Sequence, residues 1–114
     1  MTHFGRGILF WAHLDKRRPV LVVSHEARNQ HANDLVVVPC GTHLRPMVWH
    51  VLLGKAEGGL PAPSVAKCEQ LTTVRKTDLE PIPLGPGLSA QRMREIERAI
   101  VSALGIVMPG TTDS

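Results

Sequence analysis

Lys16, Arg17 and Arg18 run straight into Pro19 and then into Val20, Leu21, Val22 and Val23. A guanidinium forks two parallel hydrogen bonds onto phosphate oxygens, and the end of a buried strand would hold it rigidly. The triplet therefore reads as a phosphate clamp. It reads equally as a solvated turn whose aliphatic stems lie along apolar surface while the charges face water. Charge alone does not separate the two.

Six histidines stand in 114 residues: His3, His13, His25, His31, His43 and His50. Imidazole titrates near neutrality and serves as acid or base in RNA cleavage. No pair has a recognised metal spacing and no HExxH occurs, so no metal site is expected. Most read as surface residues. His43, beside Thr42 just past a strand end, and His13, close to the cation triplet, are the two candidates for chemistry. Further along, "CEQLTTVRK" sets Gln70, Thr72, Thr73, Arg75 and Lys76 close together. On a strand, Gln70 and Thr72 would share one face, an amide and a hydroxyl able to read base edges. Threonine is also simply a good strand former. "GKAEGGLP" lacks the Lys-Ser/Thr of a phosphate-cradling loop, and no nucleophile elbow is present.

The elements that must position these residues follow from composition and period. Nine prolines and ten glycines favour short strands joined by turns over a helix bundle, and the few aromatics leave an aliphatic, Val-rich core. Strands are expected over 7–14, 18–24, 35–40, 49–53 and 64–74, with a loop over 24–34 that has room for one helical turn. Residues 81–87 have room for a short strand or a loop. Over 88–105 the period changes to that of a helix, with Met93, Ile96, Ile100, Ala103 and Leu104 on one face, Ser89 as N-cap and Gly105 as the residue after the C-cap. One domain of 1–105 is expected, with its helix at about 89–104 and a tail from 106 to 114. The net charge of +3 permits a polyanionic partner. Cys40 and Cys68 form no CxxC, and the N-terminus carries no secretory core, which predicts free thiols and a cytoplasmic protein. No apolar run reaches the ~20 residues of a membrane span.

Read in order, "RRPVLVVSHEARN", "LVVVPCGT", "EGGLPAPSVAKCEQLTTVRKTDL" and "LSAQRMREIERAIVSALG" resemble the MazF/PemK toxins of bacterial toxin–antitoxin systems. The resemblance runs from about Gly7 to Gly105. It implies a small SH3-like barrel of the CcdB/MazF type, made of short antiparallel strands with a C-terminal helix and working as a homodimer. The implied activity is cleavage of single-stranded RNA, often mRNA, with neither metal nor other cofactor. A cognate acidic antitoxin would block it. The resemblance makes Arg18, before Pro-Val, the essential arginine, with Lys16 and Arg17 on flanking phosphates. The candidate catalytic set is Arg18, Thr42 and His43. The candidate RNA-binding set is Lys16, Arg17, His13, Arg45, Gln70, Thr72, Thr73, Arg75 and Lys76.

The chain also departs from the family pattern. Pro39-Cys40-Gly41-Thr42 puts glycine where the family has its active threonine, so Thr42 can serve only if Gly41 bends the loop. Thr72 replaces a commonly basic residue and Arg75 an acidic one. Only two residues, Asp15 and Lys16, separate "HL" from "RRP", so the loop that covers RNA is short. Two other functions share the fold: a CcdB-like toxin that poisons a protein, and a non-catalytic nucleic-acid-binding module.

Overall fold

The computed structural model describes residues 2–109. Seven strands form one bent antiparallel sheet: β1 (Leu9–His13), β2 (Arg17–Val22), β3 (Asp34–Gly41), β4 (His50–Leu53), β5 (Ser64–Lys67), β6 (Thr72–Arg75) and β7 (Leu79–Pro83). Two helices complete it, α1 (Glu26–His31) and α2 (Ala90–Ala103). The strand order is β4-β5-β3-β2-β1-β7, with β6 paired to β3. The sheet is barrel-like but does not close. The part of the expected tail beyond Pro109 lies outside the described residues.

The Val-rich strands are apolar on both sides because each side of the sheet has its own core. Leu9, Leu21, Val38 and Ala66 join Met93, Ile96 and Ala99 of α2 in one cluster. Phe10, Ala12, Val20, Val22 and Val37 of the same strands form the second, closed by Val74 and Leu79. Side chains alternate across a strand, so a strand buried on both faces loses the polar alternation of a half-exposed one. In α2 the Ser89 side chain accepts from the Arg92 N–H, and Gly105 has φ +70, as the helix period and caps predict. The apolar stripe itself ends earlier than expected. Ala99 is buried, whereas Leu104 is 57% exposed, because the last turn of α2 outruns the core.

The expected single strand over 64–74 is corrected. A 3₁₀ turn at Cys68–Gln70 divides it into β5 and β6. Cys40 pairs with Ala66 and Val37 with Thr72, so three steps along β3 answer to six along its partner. The excess works as a large bulge that bends the ribbon. It also ends the expected alignment of Gln70 with Thr72 on one strand face. A second tight spot follows from "GGLP": Gly59 has φ +88, and a Cβ there would stand 2.1 Å from the Leu84 carbonyl oxygen. Only glycine fits that contact.

Candidate active site

β1 and β2 pair with Ala12 opposite Arg18 and His13 opposite Arg17. Pro19, the third residue of β2, sits opposite Trp11, and the two arginines before it open the strand. On the other side of β2, Val20 pairs with Pro39. Continued two residues, that register brings Arg18 level with Gly41 at the end of β3. The strand ends thus converge on a cleft of about 330 Å³ lined by Lys16, Arg17, Arg18, Thr42, His43 and Lys67, with Trp11, Cys40 and Gly41 in its walls.

The two arginines have different surroundings. Arg17 lies 4.0 Å over the Trp11 ring and forks onto Glu80 through Nε and Nη2 at 2.5 and 2.9 Å. His13 Nε2 approaches the same carboxylate at 2.8 Å. The Arg17 hydrogen bond holds the Glu80 carboxyl below its ordinary range, and Glu80 in turn raises Arg17. Arg17 is thus paired with a partly exposed carboxylate, and His13 reaches Glu80 instead of the cleft. Arg18 is only 15% exposed and touches both oxygens of Asp15 through Nη2 alone, at 3.0 and 2.9 Å. Its Nε is buried with no hydrogen-bond partner. A buried donor left unpaired is rare and costs about 1–3 kcal/mol, so it points to an absent acceptor. Asp15 is 75% exposed and gives way readily.

Thr42 and His43 stand exposed on the loop after β3, and both reach the cleft. Gly41 itself does not bend the chain. It is the last residue of β3, pairs with Val65, and has no left-handed φ. Cys40 contributes no nucleophile, since burial and the neighbouring Cys68 push its thiol up to about 12.

His43 and Lys67 also line an adjoining groove of about 290 Å³, together with Arg45, His50, Glu69 and Gln70. The structure therefore brings Lys16, Arg17, Arg18, Thr42, His43, Arg45 and Gln70 into one continuous depression. It sets five candidates apart, His13 against Glu80 and four others along β6 and the turn after it. Thr72 and Thr73, exposed on β6, pair with Val37 and Val36 of β3, and Arg75 lies opposite Asp34. Asp34 begins β3 and Gly41 ends it, roughly 20 Å apart at the rise of a strand. Arg75 and Lys76 line a separate concavity with Asn33, Asp34 and Thr77.

Two participants escaped the sequence reading. His50, expected at the surface, has a side chain only 6% exposed. Its Nε2 is 2.8 Å from Glu69 and its Nδ1 3.0 Å from the Arg45 carbonyl, which ties the loop carrying Thr42 and His43 to the 3₁₀ turn. Lys67 ends a strand whose other residues are buried, and a lone lysine after Ser-Val-Ala was the signal available.

The comparisons with known proteins agree with this geometry. A family model described as "PemK-like, MazF-like toxin of type II toxin-antitoxin system" matches residues 6–104, and the chain belongs to that family. It is 37% identical over 68 residues to "Endoribonuclease MazF3" of Mycobacterium tuberculosis. That match covers 60% of this chain and just under two thirds, 65%, of the curated relative. The fold superposes on the Mycobacterium tuberculosis toxin MazF-mt6 with a TM-score of 0.81 at 30% identity, covering 89% of this chain and 99% of the other. An endoribonuclease from a mycobacterial species, solved with its cognate antitoxin, gives 0.80 at 30% identity, covering 91% and 97%.

Proposed function

We propose that this chain is a toxin endoribonuclease that cuts single-stranded RNA, mRNA included, at the cleft around Arg18. The observation that carries the reading is the Arg18 guanidinium, largely buried with its Nε unpaired, in the wall of a cleft that Thr42 and His43 also line. A scissile phosphate in the cleft displaces Asp15 and takes the fork of Arg18. The 2′-hydroxyl attacks the adjacent phosphorus, the O2′–P bond forms and the P–O5′ bond breaks. His43 and Thr42 are the groups within the cleft that exchange protons with O2′ and O5′. Arg18 neutralises the charge that builds on the phosphorane oxygens. The products are a 2′,3′-cyclic phosphate and a 5′-hydroxyl end, with no water consumed.

Two partners follow from the same reading. The basic cleft suits an acidic segment of a cognate antitoxin, and a mycobacterial relative is solved with its own. A second copy of the chain would cover the apolar side chains of Leu44, Met47, Val48 and edge-strand Leu52, which are 40–74% exposed. No helix among the described residues is long and apolar enough to cross a membrane.

The experiment is incubation of the purified chain with a long single-stranded RNA in EDTA, with the new 5′ ends mapped. Discrete cuts bearing 5′-hydroxyl ends are expected. Intact RNA would overturn the reading, and cutting that EDTA abolishes would overturn its metal-free form.

A further inference from the structure

Gly41 occupies a position whose backbone accepts any residue, since its φ is not left-handed. What glycine provides there is space. A Cβ on Gly41 would lie 3.2 Å from Cε and 3.3 Å from Nζ of Lys67, closer than ordinary van der Waals contact. The Lys67 ammonium therefore stands over Gly41, in the volume a side chain at that position would fill. Arg18 lines the same cleft as this glycine. Two cations thus share one cleft with a bare stretch of backbone. Arg17 is held by Glu80 and Arg18 by Asp15, but among the described residues none of the ion pairs involves Lys67. Lys67 also sits where the cleft meets the adjoining groove, at the junction a continuous RNA strand would cross.

We propose that Lys67 is a catalytic residue whose ammonium binds the scissile phosphate opposite Arg18, and that Gly41 is the gap that admits it. The proposal rests on the nuclease reading above. As O2′ attacks and the P–O5′ bond breaks, negative charge accumulates on the two non-bridging oxygens. Lys67 donates N–H hydrogen bonds to one of them and keeps its protons throughout. The proton from O2′ and the proton to O5′ pass through the other groups of the cleft. A lysine acts here as a compact point charge, complementing the planar fork of Arg18.

The test is single-turnover cleavage of a short RNA containing a mapped cut, at saturating enzyme, with affinity measured separately. Lys67→Ala should slow cleavage by roughly 10²-fold, the scale of losing one preorganised donor, while weakening RNA binding less than about fivefold. Lys67→Met keeps the aliphatic stem and should behave alike, which removes lost packing as the cause. Gly41→Val should close the gap and slow the wild-type background, yet cost nothing further on top of Lys67→Ala, because both remove the same interaction. Gly41→Ala, whose Cβ displaces the flexible lysine by a few tenths of an ångström, should give a smaller loss of the same kind. Circular dichroism and melting curves check the fold of each variant. Wild-type speed in Lys67→Met, or slowing by Gly41→Val that simply multiplies with that of Lys67→Ala, overturns the proposal while the nuclease reading stands. If the wild-type chain cuts no RNA, the nuclease reading falls and this role falls with it.

Discussion

At the scale of single residues, neighbours decide which cations can act. Arg17 and Arg18 are adjacent in the chain and carry the same charge, yet one forks onto Glu80 while the other touches only an exposed aspartate and leaves its Nε unpaired. Exposed ion pairs are worth at most about 1 kcal/mol, so an RNA phosphate can displace Asp15 from Arg18. Asp15→Asn should then tighten RNA binding by about two- to fivefold, and weaker binding in a filter or anisotropy assay would show that Asp15 orients Arg18 instead. Three cations before Pro-Val are conspicuous in the sequence, but only the resemblance singled out Arg18 among them. Lys67 and His50 were not, because each acts through a residue far along the chain: Lys67 through Gly41, and His50 through Glu69 and the Arg45 carbonyl. Such contacts arise from strand register, which residue types alone do not determine.

At the scale of elements, α2 was readable and the ribbon β5–β6 was not. Met93 and Ile96 recur at helical spacing between Ser89 and Gly105, and local chemistry suffices for a helix with such ends. Cys68-Glu69-Gln70 is compatible with a strand; it turns because β3 requires two partners along one edge. The helix is fastened to the connection between β4 and β5 by an ion network. Arg92 Nε and Nη2 reach Glu57 at 2.7 and 3.1 Å, and Arg92 Nη1 reaches Glu95 at 2.7 Å. An arginine in the first turn opposes the helix dipole, and the two carboxylates offset it. Burial pushes the Glu57 carboxyl up, but the Arg92 hydrogen bond and the Gly54 N–H outweigh it, and the net shift is below the usual 4.5. A carboxyl lowered in the folded state stabilises the protein above its unfolded value, and that contribution is lost as pH falls through the folded one. Glu57→Gln should therefore cost about 1–2 kcal/mol at neutral pH and flatten the fall of stability below about pH 4.5, measured by urea unfolding across pH. An equal loss at pH 7 and pH 3 would remove the charge from the argument.

At the scale of the whole molecule, the cations expected to bind RNA divide into two groups. Arg75 and Lys76 lie at the far end of β3 and Arg17 is paired with Glu80, which leaves Lys16, Arg18 and Lys67 to meet phosphates in the cleft and Arg45 in the adjoining groove. Four contacts on a single strand, at about −0.7 each, predict a log–log salt slope near −3. Arg75→Ala should leave that slope unchanged, and a slope near −4 would bring the distant cations back into the interface. The exposed apolar side chains around Val48 and Leu52 predict a dimer, with a mass by light scattering of about 25 kDa, twice the 12.5 kDa chain. The account as a whole turns on Arg18, and single-turnover cleavage in EDTA tests it most directly. Arg18→Ala should cut roughly 10²–10³-fold more slowly than wild type, Arg18→Lys should recover part of the rate, and RNA affinity should change far less than either. Arg18→Ala cutting at the wild-type rate, with its fold intact by circular dichroism, would contradict the account.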